Sequence, residues 1–153
     1  MSQVRANVEN VEVNIVKAED SFREAYELLG EPYESEDAQI KKVGKKISSG
    51  DAHLGKSEMI LGDKIMLILE KAIEEEGTPE EKKGLKMLRR EFYTLFEDVH
   101  ATGKRIENLL GKIERGRITV ENLVWELTEI KALLWGYHRR LIELDRTMRD
   151  FFQ

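Results

Sequence analysis

The chain contains no cysteine. Disulfides, thiolate nucleophiles and zinc sites with sulfur ligands are therefore excluded. Proline is almost as scarce: Pro32 and Pro79 alone can interrupt helix by removing a backbone donor. Long apolar runs are also missing. The longest, Ile65–Leu69, falls far short of the roughly 20 residues that span a bilayer, as does Met59–Leu61. The opening MSQVRANVEN has no apolar stretch after a basic one, so no secretory signal is expected. With three histidines and no Gly-x-Ser-x-Gly elbow, little is left for nucleophilic chemistry. These absences lead us to expect a cytoplasmic protein with no membrane association, no cofactor and no enzymatic activity.

What is abundant is charge. Of 153 residues, 36% are Asp, Glu, Lys or Arg, well above the roughly 25% of an average soluble domain. Such a mixture suits long amphipathic helices, and resembles the composition of thermophilic proteins. The charge is uneven. Residues 1–85 carry 12 basic and 19 acidic side chains, whereas residues 86–153 carry 13 and 11. The overall −5 makes nucleic acid an unfavourable partner, and the polarity favours antiparallel self-association.

Four segments repeat apolar residues at alternating steps of four and three, a heptad seam. The first, about 3–29, carries Val4, Val8, Val11, Ile15, Ala18, Phe22, Ala25 and Leu29. Gly30 is expected to close it with a left-handed cap, and Pro32 prevents continuation. The second, about 35–76, begins at a candidate cap, Ser35, followed by Glu36 and Asp37. Its seam passes through Ile40, Ile47, Leu54, Leu61 and Ile68, with Val43, Gly50 and Ser57 between. A stop and restart at Ser49-Gly50-Asp51 is the alternative, because glycine costs about 1 kcal/mol against alanine in a helix. The third, about 79–115, starts with Thr78 as N-cap, Pro79 in the first turn and Glu81 to complete a capping box. Thr102 is the one polar residue in its seam, and Arg115 and Gly116 end it. The fourth, about 119–151, starts at Thr119 and runs from Val120 through Leu127, Leu134 and Leu141 to Phe151. Short connections between long helices predict one all-α domain over residues 1–153. The expected architecture is an elongated up-down-up-down four-helix bundle, or five helices if the second breaks near Gly50.

Three local patterns invite a chemical reading. Gly50 to Ser57 matches the phosphate-binding loop G-x-x-x-x-G-K-[ST]. That loop needs a strand before it. Here IKKVGKKISS precedes Gly50, with apolar residues spaced three and four as on a helix. A second candidate strand, Ile65 to Glu70, follows Ser57 too closely for a parallel crossover. The match therefore reads as coincidence. Glu97 and His100 form the Glu-x-x-His pair of di-iron bundles, but no second pair exists, and Val99 in the seam turns both outward. His53 with Lys56 three residues on resembles the histidine phosphotransfer module, itself a four-helix bundle. The resemblance covers about five residues. It implies an exposed His53 that accepts a phosphoryl group, neutralised by Lys56. Leu54 directly after His53, Gly55, and Ser57 where glycine would stand depart from that pattern.

The remaining signal is surplus apolar surface. In the fourth segment Trp125, Ala132, Trp135 and Ile142 form a second stripe, away from Leu127 and Leu134. The second segment has a similar excess, including Met59 and Met66. Tryptophan outside a bundle seam points to an interface. The expected function is non-enzymatic assembly: a homo-oligomer or a module that binds a protein partner. Phosphotransfer through His53 is one alternative. The other is a nucleic-acid-associated small subunit of a larger complex, using basic clusters such as Lys104-Arg105 and Arg139-Arg140.

Overall fold

The structure, a computed structural model, describes residues 2–75 and 77–151. It is helical almost throughout, with no strand among the described residues. Helix α1 spans Ser2–Leu28, α2 Glu36–Met59, α3 Met66–Glu75, α4 Pro79–Glu114 and α5 Val120–Phe151. A six-residue π-helical segment, Ile60–Ile65, joins α2 to α3 into one rod. Four rods therefore form the bundle. Each packs on its neighbour in sequence, and α5 closes the ring against α1. In that ring α2 and α5 stand at opposite corners. Rods of this length reach roughly 50 Å, at 1.5 Å per residue. No helix is long and apolar enough to cross a membrane among the described residues.

Local chemistry explains the helix ends. Ser35, Thr78 and Thr119 each accept a hydrogen bond from the amide three residues on, so all three expected caps form. Gly116, at φ 65°, ends α4 with amide bonds from Arg117 to Lys112 and from Gly116 to Ile113. Gly30 departs from expectation. Its φ is not positive, and the last turn of α1 instead tightens through i→i−3 bonds from Leu29, Gly30 and Glu31. The turn that follows is built by Glu31 to Ser35 without a left-handed residue.

The core consists of the four seams. Val4 to Ala25 of α1, Leu85 to Leu109 of α4 and Leu123 to Met148 of α5 are buried at the expected steps. Thr102, the polar seam residue, pairs with Tyr137 at 2.6 Å between hydroxyls, and Tyr137 donates to the Asp98 carbonyl at 3.0 Å. That chain satisfies two hydroxyls buried among aliphatic side chains. Burial pushes the Tyr137 phenol above its ordinary value, and the nearby Asp98 charge adds to this; the Thr102 hydrogen bond opposes it. Phe151, the last predicted seam residue, ends α5 with its side chain undescribed, and Glu76 lies outside the described residues.

The second rod keeps the expected continuity through Gly50 and corrects the expected seam beyond Leu61. It does not break at Gly50: α2 runs straight through, and Gly50 is buried against α1. A Cβ there would lie 2.6 Å from Phe22 Cε2, so glycine sets the helix spacing. The adjoining Ser57 is fully buried and donates to the Val11 carbonyl of α1 at 3.1 Å. The irregularity comes later, at the π segment. A strict seam beyond Leu61 would turn Lys64, Ile68 and Lys71 inward. One extra residue in the turn rotates the chain, so that Ile65 and Leu69 enter the core. Lys64 and Lys71 stay exposed, and Ile68 is only partly buried. Within the turn Gly62 admits the Phe96 ring of α4, which a Cβ would meet at 2.8 Å. Burying two lysines unpaired would cost far more than one imperfect turn.

These contacts separate two neighbouring glycines. Gly50→Ala drives a methyl into Phe22, and overpacking of about 1–3 kcal/mol outweighs the helix-propensity gain of about 1 kcal/mol. Gly55 has nothing within 4 Å of its would-be Cβ. We expect urea unfolding to show Gly50→Ala destabilised and Gly55→Ala stabilised by up to about 1 kcal/mol. Equal stability for the two variants would mean that α1 and α2 are not held at this spacing.

Candidate functional site

The phosphate-loop match falls inside α2. From Gly50 to Ser57 the backbone is α-helix, so its amides bond to carbonyls four residues back and form no cradle. Gly50 serves packing against Phe22, Ser57 is tied to Val11, and Lys56 is exposed.

His53 lies on the same helix, partly buried, with its Nδ1 enclosed and without a hydrogen-bond partner. Its pKa is lowered, first by burial and then by the positive charges of Lys56 and of Lys17 on α1. The sequence pairs His53 with Lys56; the fold adds Lys17, which no spacing along the chain reveals. Burial and neighbouring positive charge both disfavour the protonated imidazole.

Glu97 and His100 are both exposed. His100 Nδ1 contacts Glu58 of α2 instead, and its ring lies 6.3 Å from Phe96. Close by, Asp51 is pushed above the usual carboxylate range by burial and by the charges of Glu107 and Glu58. No three His, Asp or Glu residues converge as metal ligands would among the described residues.

The apolar excess divides. Trp125 and Trp135 are 58% and 57% exposed, Ile142 is 43% exposed, and Ala132 between them is exposed as well. All four lie on the side of α5 turned away from the core seam. An arginine flanks each indole: Arg105 of α4 lies 5.8 Å from the Trp125 ring centroid, and Arg139 lies 4.9 Å from that of Trp135. Such cation–π contacts leave the outer ring face in water. Arg105 is also held by two bonds to Glu126, and Arg140 by Asp98 at 2.7 Å. Met59 is 53% exposed, but on α2, at the corner opposite α5, so it cannot share one continuous patch with the tryptophans. Met66 does not belong to a surface at all: it is 6% exposed, because the π turn rotates it into the core.

Two features have no signature along the chain. His138 of α5 bridges two carboxylates of α1, with Nε2 at 3.2 Å from Glu12 and Nδ1 at 3.0 Å from Glu19. Burial raises the Glu19 pKa while His138 opposes it. Glu12 and Glu19 are one heptad apart, so they share a flank of α1, but only the α1–α5 contact brings a histidine between them. The other feature is a groove of about 620 Å³ between the start of α4 and the end of α5. Met87, Leu88 and Leu144 contribute its apolar lining, and Arg139 and Glu143 stand at its α5 side.

The His53 surround gives a pH test. Because its folded-state pKa lies below the ordinary value of 6.5, the unfolded chain takes up the proton first. Its contribution to stability is complete above that value and declines as pH falls through it. Lys56→Gln and Lys17→Gln should each move the His53 midpoint upward in an NMR titration of the imidazole protons. A midpoint indifferent to both changes would leave burial as the sole cause.

No protein-family model matches this chain, and searches of curated proteins and of solved structures find no match either.

Proposed function

We propose that the protein is a non-enzymatic assembly module whose α5 face docks another protein surface, with a second copy of the same chain as the first candidate. One observation carries this: two tryptophans more than half exposed on the face of α5 that points away from its own core. Leaving an indole in water forgoes roughly 2–3 kcal/mol relative to burial. Tryptophan and arginine are also the residues most concentrated at interface hot spots, and here they occur together. The bundle beneath is a rigid platform, since α5 is packed along its length by α1 and α4. The cysteine-free sequence fits a reducing cytoplasm. The net charge of −5, and the ties of Arg105 to Glu126 and of Arg140 to Asp98, favour a protein partner over nucleic acid.

Trp125→Glu combined with Trp135→Glu should abolish the association while leaving the bundle folded, because neither side chain fills the core. In analytical ultracentrifugation the wild type is expected to sediment as an oligomer and the double variant as a monomer, with equal helicity by circular dichroism. An unchanged sedimentation mass would remove the α5 face from consideration.

A second reading has its own support. The charges of Lys17 and Lys56 both act on a half-buried His53, and positive charge near an imidazole would favour an arriving phosphoryl group. Treatment with phosphoramidate, a small phosphoryl donor, should then add one acid-labile phosphoryl group that His53→Gln prevents. No mass gain would dismiss this reading.

A further inference from the structure

The outward face of α5 carries a row of exposed positions in heptad register, apolar in its middle and charged at its ends. From Glu121 to Arg146, eight positions follow one another at alternating steps of four and three, and every one is exposed. Four of the eight, Trp125, Ala132, Trp135 and Ile142, are apolar, and the row is about 37 Å long on a helix whose heptad seam is already buried in the bundle. A step pattern of 4-3-4-3-4-3-4 reads the same in both directions. A copy of the helix laid antiparallel against it therefore meets it position for position.

We infer that two chains pair through α5, antiparallel about a twofold axis that passes between Ala132 and Trp135. This rests on the docking role proposed above and names its occupant, register and contacts. In this register Ala132 of one protomer faces Trp135 of its partner, a small residue against the largest. Trp125 faces Ile142, ring against aliphatic chain. Thr128 faces Arg139. At the ends, Glu121 faces Arg146, opposite in charge. The twofold repeats each contact, so the dimer has two charge pairs, two Trp–Ile pairs and two Trp–Ala pairs.

Other registers are poorer. A parallel pair sets Glu121 on Glu121, Arg139 on Arg139 and Arg146 on Arg146, like charge on like. Sliding the antiparallel pair by one heptad in one direction puts Ile142 and Arg146 beyond the start of α5 at Val120. Sliding it in the other direction sets Trp125 against Arg149 and carries Glu121 past Phe151, the end of α5. Only the register centred between Ala132 and Trp135 pairs all eight positions on helix. The regional charge imbalance along the chain agrees with this within α5: the row is acidic at Glu121 and basic at Arg139 and Arg146.

The absence of cysteine makes the register directly readable. Thr128→Cys and Arg139→Cys are made as separate full-length chains, mixed under reduction and then oxidised. The expected result is a mixed dimer joining the two variants, with little disulfide from either variant alone. Glu121→Arg is expected to weaken self-association about tenfold or more, since two pairs become repulsive and each 1.4 kcal/mol is a factor of ten. Adding Arg146→Glu to the same chain should restore it. Circular dichroism on each variant separates lost association from lost folding. Self-linking of Thr128→Cys would overturn the antiparallel arrangement. A wild type that dimerises through its tryptophans, but neither forms the mixed disulfide nor recovers on charge exchange, would overturn the register and leave the docking role intact. A wild type that stays monomeric at high concentration would overturn self-pairing. A dimer that survives Trp125→Glu with Trp135→Glu would overturn this inference and the docking role together.

Discussion

Four apolar seams, each as long as its rod, can leave water together only if the rods lie side by side. That constraint governs most of what is seen. It fixes the length of each connection, since helices that must return alongside their predecessors need only a few residues to turn. It also explains why ordinary capping chemistry suffices at Ser35, Thr78 and Thr119: the helices are held laterally, and the caps need only end them. Surface ion pairs such as Lys46–Glu24 and Arg89–Glu70 decorate the seams' margins, where water and salt screen them and they add little.

Within that frame the second rod is where the sequence and the ring of helices come into conflict. Its first half approaches α1 closely at Gly50, where Phe22 fills the space a side chain would need, and Ser57 donates to the Val11 carbonyl. Its second half falls out of heptad phase by one residue. The π turn at Ile60–Ile65 absorbs that residue, keeping lysines in water and apolar side chains inside. Gly62 has the same use there as Gly50 earlier: it gives room to an aromatic ring, Phe96, of a neighbouring helix. Each rod irregularity thus has a partner across the interface, which is what close packing requires.

The fifth helix differs in having two organised faces. One belongs to the bundle, and the other bears indoles flanked by arginines with their outer surfaces in water. A helix that only closed a ring would have no need of a periodic apolar stripe on its solvent side, because isolated polar residues serve solubility better. Trp125, Trp135 and Ile142 on that face are not part of the core that holds the bundle together. His53 is a feature of another kind, a single imidazole whose pKa is lowered by burial and by the charges of two lysines from different helices.

The sequence by itself determined the helices, nearly to the residue, because a 4-3 repeat and a threonine or serine cap are local facts. It also exposed the tryptophan stripe, since Trp125 and Trp135 are out of phase with Leu127 and Leu134 whatever the helix packs against. It misassigned Met66 and Ile68, because the phase of a helix after a π turn depends on which neighbour would otherwise receive Lys64 and Lys71. It assigned Gly30 a left-handed conformation, which the i→i−3 turn closing α1 makes unnecessary. Only the tertiary structure decided that Gly50 is a contact and not a break, that Met59 and Trp135 occupy opposite corners, that the charge of Lys17 acts on His53, and that His138 joins Glu12 to Glu19. The reason is common to all of these. Periodicity states which side of a helix is apolar, whereas the partner met on that side is fixed by how four rods are arranged in space.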